Sequence, residues 1–346
     1  MFPPQMTKQQ PRHLIETLAQ ERILVLDGAM GTELQQHGLT EEDFRGDVFK
    51  NHRNDLRGNN DILVMTRPDL VRSVHDSYFA AGSDIIETNT FAATAIAQAD
   101  YGLEARAFDI NYHAAKIAKE SARVWSEKTP NKPRFVAGAI GPMNVTLSIS
   151  PEVNDPSFRS VDFDRVCAAY AEQVRGLMEG GVDVILVETI FDTLNSKAAL
   201  FAIDQVFEEK GTRLPLMVSV TVVDRSGRTL SGQTVEAFWT SVAHARPMSV
   251  GMNCALGAKE MRPFLQGLAS VSDVLISSYP NAGLPNAFGG YDETPDETGE
   301  LLRGFARDGL VNFVGGCCGT TPAHIAAIAR KVADIAPRTL PDVDRE

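Results

Sequence analysis

The stretch "VNFVGGCCGTTPAHI", residues 311–325, sets two adjacent cysteines after a branched apolar run and a diglycine, just before a helix start. Only four cysteines occur in 346 residues. That is no disulfide framework, and in a reducing compartment such thiols are buried, metal-bound or catalytic. Cys167 lies beside Val166 in a helical stripe and reads as a small buried hydrophobe. Cys254, in "MSVGMNCALG", instead ends an apolar run, as Cys317 and Cys318 do.

Three cysteines at run ends admit a zinc site, a redox pair or ordinary buried thiols. A vicinal disulfide between Cys317 and Cys318 would need a strained ring in a reducing cytosol. Zinc accepts thiolates, and three protein ligands leave the fourth tetrahedral place open, the catalytic pattern. The seven histidines form neither H-x-H nor H-E-x-x-H, so hydrolytic zinc motifs are absent. Three thiolates on one zinc ion suit it to hold and deprotonate a further thiol better than to activate water. Gly315 and Gly316 are expected to supply the backbone freedom that aims both sulfurs at one point. Thr321 as N-cap and Pro322 as first helical residue predict a helix whose positive end favours thiolates. A phosphate cradle at this turn is the alternative, although two thiolates would repel a phosphate.

Other run ends offer Asp27, Glu87, Asn89, Glu188, Asp224, Asn253, Tyr279 and Asn281. Asp27 and Glu188 could hold an ammonium group, and backbone N–H groups around "DGAMGT" a carboxylate. The expected ligand is an amino acid that bears a thiol.

Eight apolar runs must position these residues: "RILVLDGAMGT", "SDIIETNTF", "RFVAGAIGP", "VDVILVETI", "LPLMVSVTVVD", "MSVGMNCALG", "SDVLISSYPNAG" and "VNFVGGCCGTT". Helical spacing separates them, as in "RPDLVRSVHDSYFAAG", where Leu70, Val74 and Tyr78 share a face and Gly82 offers a stop. Continuously apolar strands alternating with helices predict an α/β fold with a parallel sheet buried on both faces. Eight units predict a (β/α)₈ TIM barrel, a single domain with its site at the C-terminal strand ends. A doubly wound open sheet is the alternative, but "DGAMGTEL" is not G-x-G-x-x-G. The expected boundaries are a flexible tail over 1–12, the barrel over 13–337, and a tail or linker over 338–346. Two polar excursions, His37 to Asn60 and "TLSISPEVNDPSFRSVDFD", are expected as site walls.

Hydrophobic residues at 43% and charged residues at 23% describe an ordinary globule. A net charge of -12 argues against nucleic acid or an anionic membrane as partner. With no apolar span and no signal-peptide core, the expected location is cytoplasmic.

"LDGAMGTEL", "DIIETNTF", "GMNCALG", "YPNAGLPN" and "GGCCGTTPAHI" resemble the homocysteine S-methyltransferase family. "RGNNDILVMTRPDLV", "SISPEVNDPSFR" and "DRSGRTLSGQT" look most like the homocysteine modules of cobalamin-dependent methionine synthases. The likeness runs from about Ile15 to Pro337. It implies Zn²⁺ held by Cys254, Cys317 and Cys318, with the homocysteine sulfur as fourth ligand. It also implies an amino-group site at Asp27 and Glu188, and a carboxylate site near Gly28 and Thr32. Asn281 matches an asparagine that approaches the metal when substrate is absent, and Glu87, Asn89 and Asn253 are expected to line the substrate site. The methyl donor implied is methylcobalamin, giving methionine and cob(I)alamin, with folate- and cobalamin-binding modules on the same or another chain. S-methylmethionine or a betaine is the alternative donor, and a non-catalytic zinc and homocysteine-binding subunit the alternative class. Such synthases continue beyond this length, so the sequence is expected to be part of a longer chain or a separate homocysteine subunit.

Overall fold

The computed structural model describes residues 13–223 and 225–341. The expected tail over 1–12, the last five positions and Asp224 lie outside the described residues.

All eight apolar runs form strands: β1 (Leu24–Val25), β2 (Ile85–Glu87), β3 (Phe135–Ile140), β4 (Val184–Ile190), β5 (Leu216–Val220), β6 (Ser249–Gly257), β7 (Leu275–Asn281) and β8 (Phe313–Val314). They pair in parallel in the order β1-β8-β7-β6-β5-β4-β3-β2, with helices between them. This is the (β/α)₈ TIM barrel that the alternation predicts. Between β1 and β2 the ladder gives way to a stitched seam. Asp84 N–H donates to Val25 O at 2.7 Å, Val25 N–H to Asp84 Oδ2 at 2.9 Å, and Glu87 N–H to Asp27 Oδ2 at 3.0 Å.

The strands read as unbroken apolar runs because both faces are buried. Leu24, Leu26, Ile85, Val184 and Leu186 pack inside the barrel, whereas Val25, Ile86, Ile185 and Val187 pack outward beneath the helices. The inner cluster also takes in Ile15 and Ala19 from the helix Leu14–Glu21, which closes the end of the barrel where the strands begin. Arg338, just past the expected boundary at 337, is buried there, and its guanidinium donates to the carbonyls of Val274, Ala269 and Ser272.

Helix boundaries follow local chemistry. Pro68–Ala81 starts on proline and stops at Gly82, whose φ of 113° suits the left-handed cap. Phe163–Gly180 is capped by Asp162, whose side chain accepts from Arg165 N–H. Cys167 is buried in that helix, its Sγ 3.5 Å from Ala198 O.

The polar stretch from His37 to Asn60 is more ordered than its composition suggests. Its acids serve as caps and clamps: Thr40 and Asp43 form a capping box for the helix Glu41–Arg45, and the Glu41 carboxylate accepts from Leu56 and Arg57 N–H. The later excursion is wrapped around Arg159, whose guanidinium donates to the carbonyls of Leu147, Ser148, Pro156 and Phe158.

Candidate metal and substrate site

The three cysteines meet at the C-terminal mouth of the barrel. Cys254, near the end of β6, and Cys317 and Cys318, just past β8, place their sulfurs within 4.8 Å of one another, with Cys254 and Cys318 at 3.8 Å. Two thiolates about 2.3 Å from a tetrahedral zinc ion stand about 3.8 Å apart. The Cys254–Cys318 spacing is that of two thiolates on one zinc ion, and Cys317 lies close enough to complete the set.

The thiols differ in charge. Cys318 is lowered to about 3 because Cys254 and Cys317 hydrogen-bond to its sulfur and Tyr291 adds a further bond. Cys254, although its bond with Cys317 lowers it, is driven up to about 11 by its bond to Cys318 and by burial. Cys317 is raised well above the ordinary thiol range by its bonds to Cys254 and Cys318. Without a metal the triad holds one thiolate comfortably and resists two more, the situation a dication relieves. The lowered thiol owes its charge first to its neighbour sulfurs. The helix Pro322–Val332 does begin on Thr321 as N-cap, but its cap is completed by His324.

The diglycine serves a different purpose from the one expected. Neither Gly315 nor Gly316 has positive φ. Each is glycine for want of room: a Cβ would lie 2.7 Å from Leu26 Cβ at Gly315 and 2.4 Å from Thr320 Oγ1 at Gly316. The close approach lets the chain zigzag between strand ends, with Gly316 N–H donating to Asp27 O at 3.1 Å and Cys317 N–H to Pro280 O at 2.8 Å. The sharp turning falls on β6 instead, where Cys254 and Ala255 have φ of 58° and 55°. There Asn253 pairs with Tyr279 and Gly257 with Asn281, so β6 spends extra residues against β7, a bulge that re-aims the Cys254 side chain.

Beside the sulfurs lie three acids with no described ion pair. Asp27 is raised well above the carboxylate range by burial and then by Glu87. Burial pushes Glu87 up to about 7, and Glu188 is raised well above its ordinary value by burial and by Glu87, Asp27 and Cys318. Glu188 and Glu87 share a hydrogen bond. Such a group is short of a positive charge.

The remaining expected residues divide. Thr32 Oγ1 accepts from Gly319 N–H at 3.1 Å, which ties the "DGAMGT" turn to the cysteine loop. A Cβ on Gly28 would meet Thr320 Oγ1 at 2.8 Å and the Tyr78 ring at 2.9 Å, so that turn is tightly packed. Asn281 is buried with Oδ1 lacking a described partner. Asn89 turns toward the first excursion and donates to Asn60 O at 2.7 Å. Asn253 is fully buried, its Nδ2 lying 3.5 Å from Glu188 Oε2 and 4.0 Å from Cys317 Sγ.

Sequence reading missed Tyr291. It sits on the loop after β7, bridges to Pro285, packs where a Cβ on Gly319 would fall, and hydrogen-bonds Cys318. Only an aromatic within a glycine-rich loop marked it. Thr320 was missed as well; its hydroxyl donates to Cys317 O at 2.6 Å and accepts from Ala29 N–H at 3.3 Å.

A parallel barrel whose mouth carries a zinc-type triad of thiols defines a thiol-activating class of protein. Residues 24–332 match the homocysteine S-methyltransferase family, and the chain belongs to it. Among solved structures, it is similar to the homocysteine methyltransferase MmuM from Escherichia coli. The oxidized form gives a TM-score of 0.69 at 22% identity, over 92% of this chain and 99% of that one. The metallated form gives 0.67 at 23% identity, over 91% and 98%. Histamine dehydrogenase from Rhizobium sp. 4-9 shares the barrel more distantly, with a TM-score of 0.51 at 11% identity over 78% and 44%. No helix among the described residues is long and apolar enough to cross a membrane.

Proposed function

We propose that this chain is the homocysteine-activating part of a cobalamin-dependent methionine synthase. The observation that carries the reading is adjacency: one buried amide nitrogen, Asn253 Nδ2, stands between Glu188 Oε2 and Cys317 Sγ, at 3.5 and 4.0 Å. An acid pocket short of a cation and a thiol triad short of a dication thus lie within the reach of one small amino acid.

Cys254, Cys317 and Cys318 would hold zinc, and zinc when bound supplies the Lewis acidity that keeps the substrate sulfur as thiolate at neutral pH. Asp27 and Glu188 take the ammonium group of homocysteine, with Glu87 sharing its proton with Glu188. Backbone N–H groups between Gly28 and Thr32 face the carboxylate, and Asn89 borders the pocket. Asn281 has an unpartnered Oδ1, the atom that would approach the metal before substrate arrives. The thiol proton leaves to solvent, and the sulfur then attacks the methyl carbon in line. The S–C bond forms as the bond from methyl to donor breaks, and the donor keeps the electron pair.

Two features favour methylcobalamin carried by another module. The sequence stretches quoted above resemble the cobalamin-dependent enzymes. The loops that surround the mouth also expose Phe91, Val153, Phe158, Leu230 and Phe288 to solvent, with Val153 at 93% and Phe288 at 99%. An apolar rim of this kind suits a macromolecular donor better than a small soluble one.

The test compares methylcobalamin, S-methylmethionine and a betaine as donors to homocysteine, with zinc content measured alongside. Turnover with methylcobalamin, one zinc per chain, and loss of both metal and activity in Cys317→Ser are expected. Full transfer and stoichiometric zinc in Cys317→Ser would overturn the assignment. Turnover with only a small donor would reassign the donor, and binding without turnover would mark a non-catalytic subunit.

A further inference from the structure

Three non-glycine residues at the mouth adopt left-handed backbone: Thr189 with φ of 54°, Cys254 with 58° and Ala255 with 55°. For a β-branched threonine this is a costly conformation, and strain of this kind persists only where surrounding contacts impose it. Thr189 follows Glu188 in β4, within a bulge where Val187 pairs with Val218 and Ile190 with Val220. Cys254 lies in the second bulge, on β6. One bend therefore carries an acid of the substrate pocket, and the other a metal ligand.

A single side chain joins them. Asn253 Oδ1 accepts from Thr189 N–H at 3.1 Å and from Ser219 Oγ at 2.6 Å. Its Nδ2 donates to Thr189 Oγ1 at 2.7 Å, and its second hydrogen faces Glu188 Oε2 and Cys317 Sγ. An amide has two donors and two acceptor sites, so every one of these is engaged within the protein. The side chain has nothing left over for substrate.

We infer that Asn253 is a positioning residue: it locks the left-handed bends of β4 and β6 together, so that Glu188 and Cys254 present amino-group and metal sites at a fixed separation. This rests on the proposed function. Residues that orient metal ligands from behind typically change metal affinity by about 10–100-fold when removed.

The test measures zinc affinity against a chromophoric chelator, and the thiolate charge-transfer band of the cobalt(II)-substituted protein, in Asn253→Ala, Thr189→Val and Thr189→Ser. We expect zinc affinity about 10–100-fold weaker and a shifted cobalt band in Asn253→Ala and Thr189→Val, with Thr189→Ser near wild type because it keeps the hydroxyl. If Asn253→Ala folds and holds zinc as tightly as wild type while binding homocysteine poorly, Asn253 is a substrate contact and the inference is overturned. Should Asn253→Ala fail to fold, equal zinc affinity in Thr189→Val and Thr189→Ser overturns it instead. A wild-type protein that binds no zinc would sink the metal reading and this inference together.

Discussion

At the scale of single residues, the site is governed by charges that lack partners. Glu87 is held at about 7 by burial, above its ordinary 4.5. A carboxyl raised in the folded state contributes stability that is fully present below pH 4.5 and is lost as pH rises through 7. The upper bound is about 3 kcal/mol. His75, buried with both ring nitrogens unpartnered among the described residues, runs the opposite way. Burial lowers it from 6.5 to about 4, so its contribution is present above pH 6.5 and is lost as pH falls through 4. The two slopes oppose each other between pH 4.5 and 6.5. Asp27 and Glu188, raised in the same direction, add to the loss that Glu87 brings, so calorimetry of the ligand-free protein should show Tm falling as pH rises from 4.5 through 7. In Glu87→Gln that fall should become shallower between pH 4.5 and 7; an unchanged profile in that variant would refute the assignment. None of this was visible in the residue types, because a glutamate in a sequence carries no record of its burial. The cysteines were legible for the contrary reason: three of four ended apolar runs, and strand ends converge in a barrel whatever the sequence separation.

At the scale of elements, strand positions could be read because burial on both faces leaves an unbroken apolar run, and all eight runs became strands. Backbone direction at their ends could not be read, since left-handed φ at Thr189 and Cys254 is imposed by partners distant in sequence. The diglycine illustrates the same limit. Its composition suggested conformational freedom, whereas its function is to let β8 pass close to β1. Gly315→Ala should accordingly cost about 1–3 kcal/mol through overpacking against Leu26, seen as a lower denaturation midpoint, and should weaken zinc binding in the chelator assay. A neutral Gly315→Ala would mean that the loop can give way and that close approach is not the constraint.

At the scale of the molecule, a barrel divides its labour between ends: the helix Leu14–Glu21 and Arg338 close one, and chemistry occupies the other. The exposed apolar side chains around the mouth belong to this scale, because their worth depends on a partner. Replacing Val153 and Phe288 with aspartate should raise the KM for a cobalamin-carrying module at least about tenfold and leave homocysteine affinity and zinc content unchanged, since losing two large apolar contacts removes a few kcal/mol. An unaltered KM would remove the rim as a docking surface. The seam between β1 and β2 carries one further consequence. Asp27 closes that seam by accepting from Glu87 N–H, and in the proposed function the same carboxyl receives the ammonium of homocysteine. The substrate is then a keystone as well as a reactant: by linkage, the free energy of binding through Asp27 is returned as resistance of the folded barrel to opening at its seam.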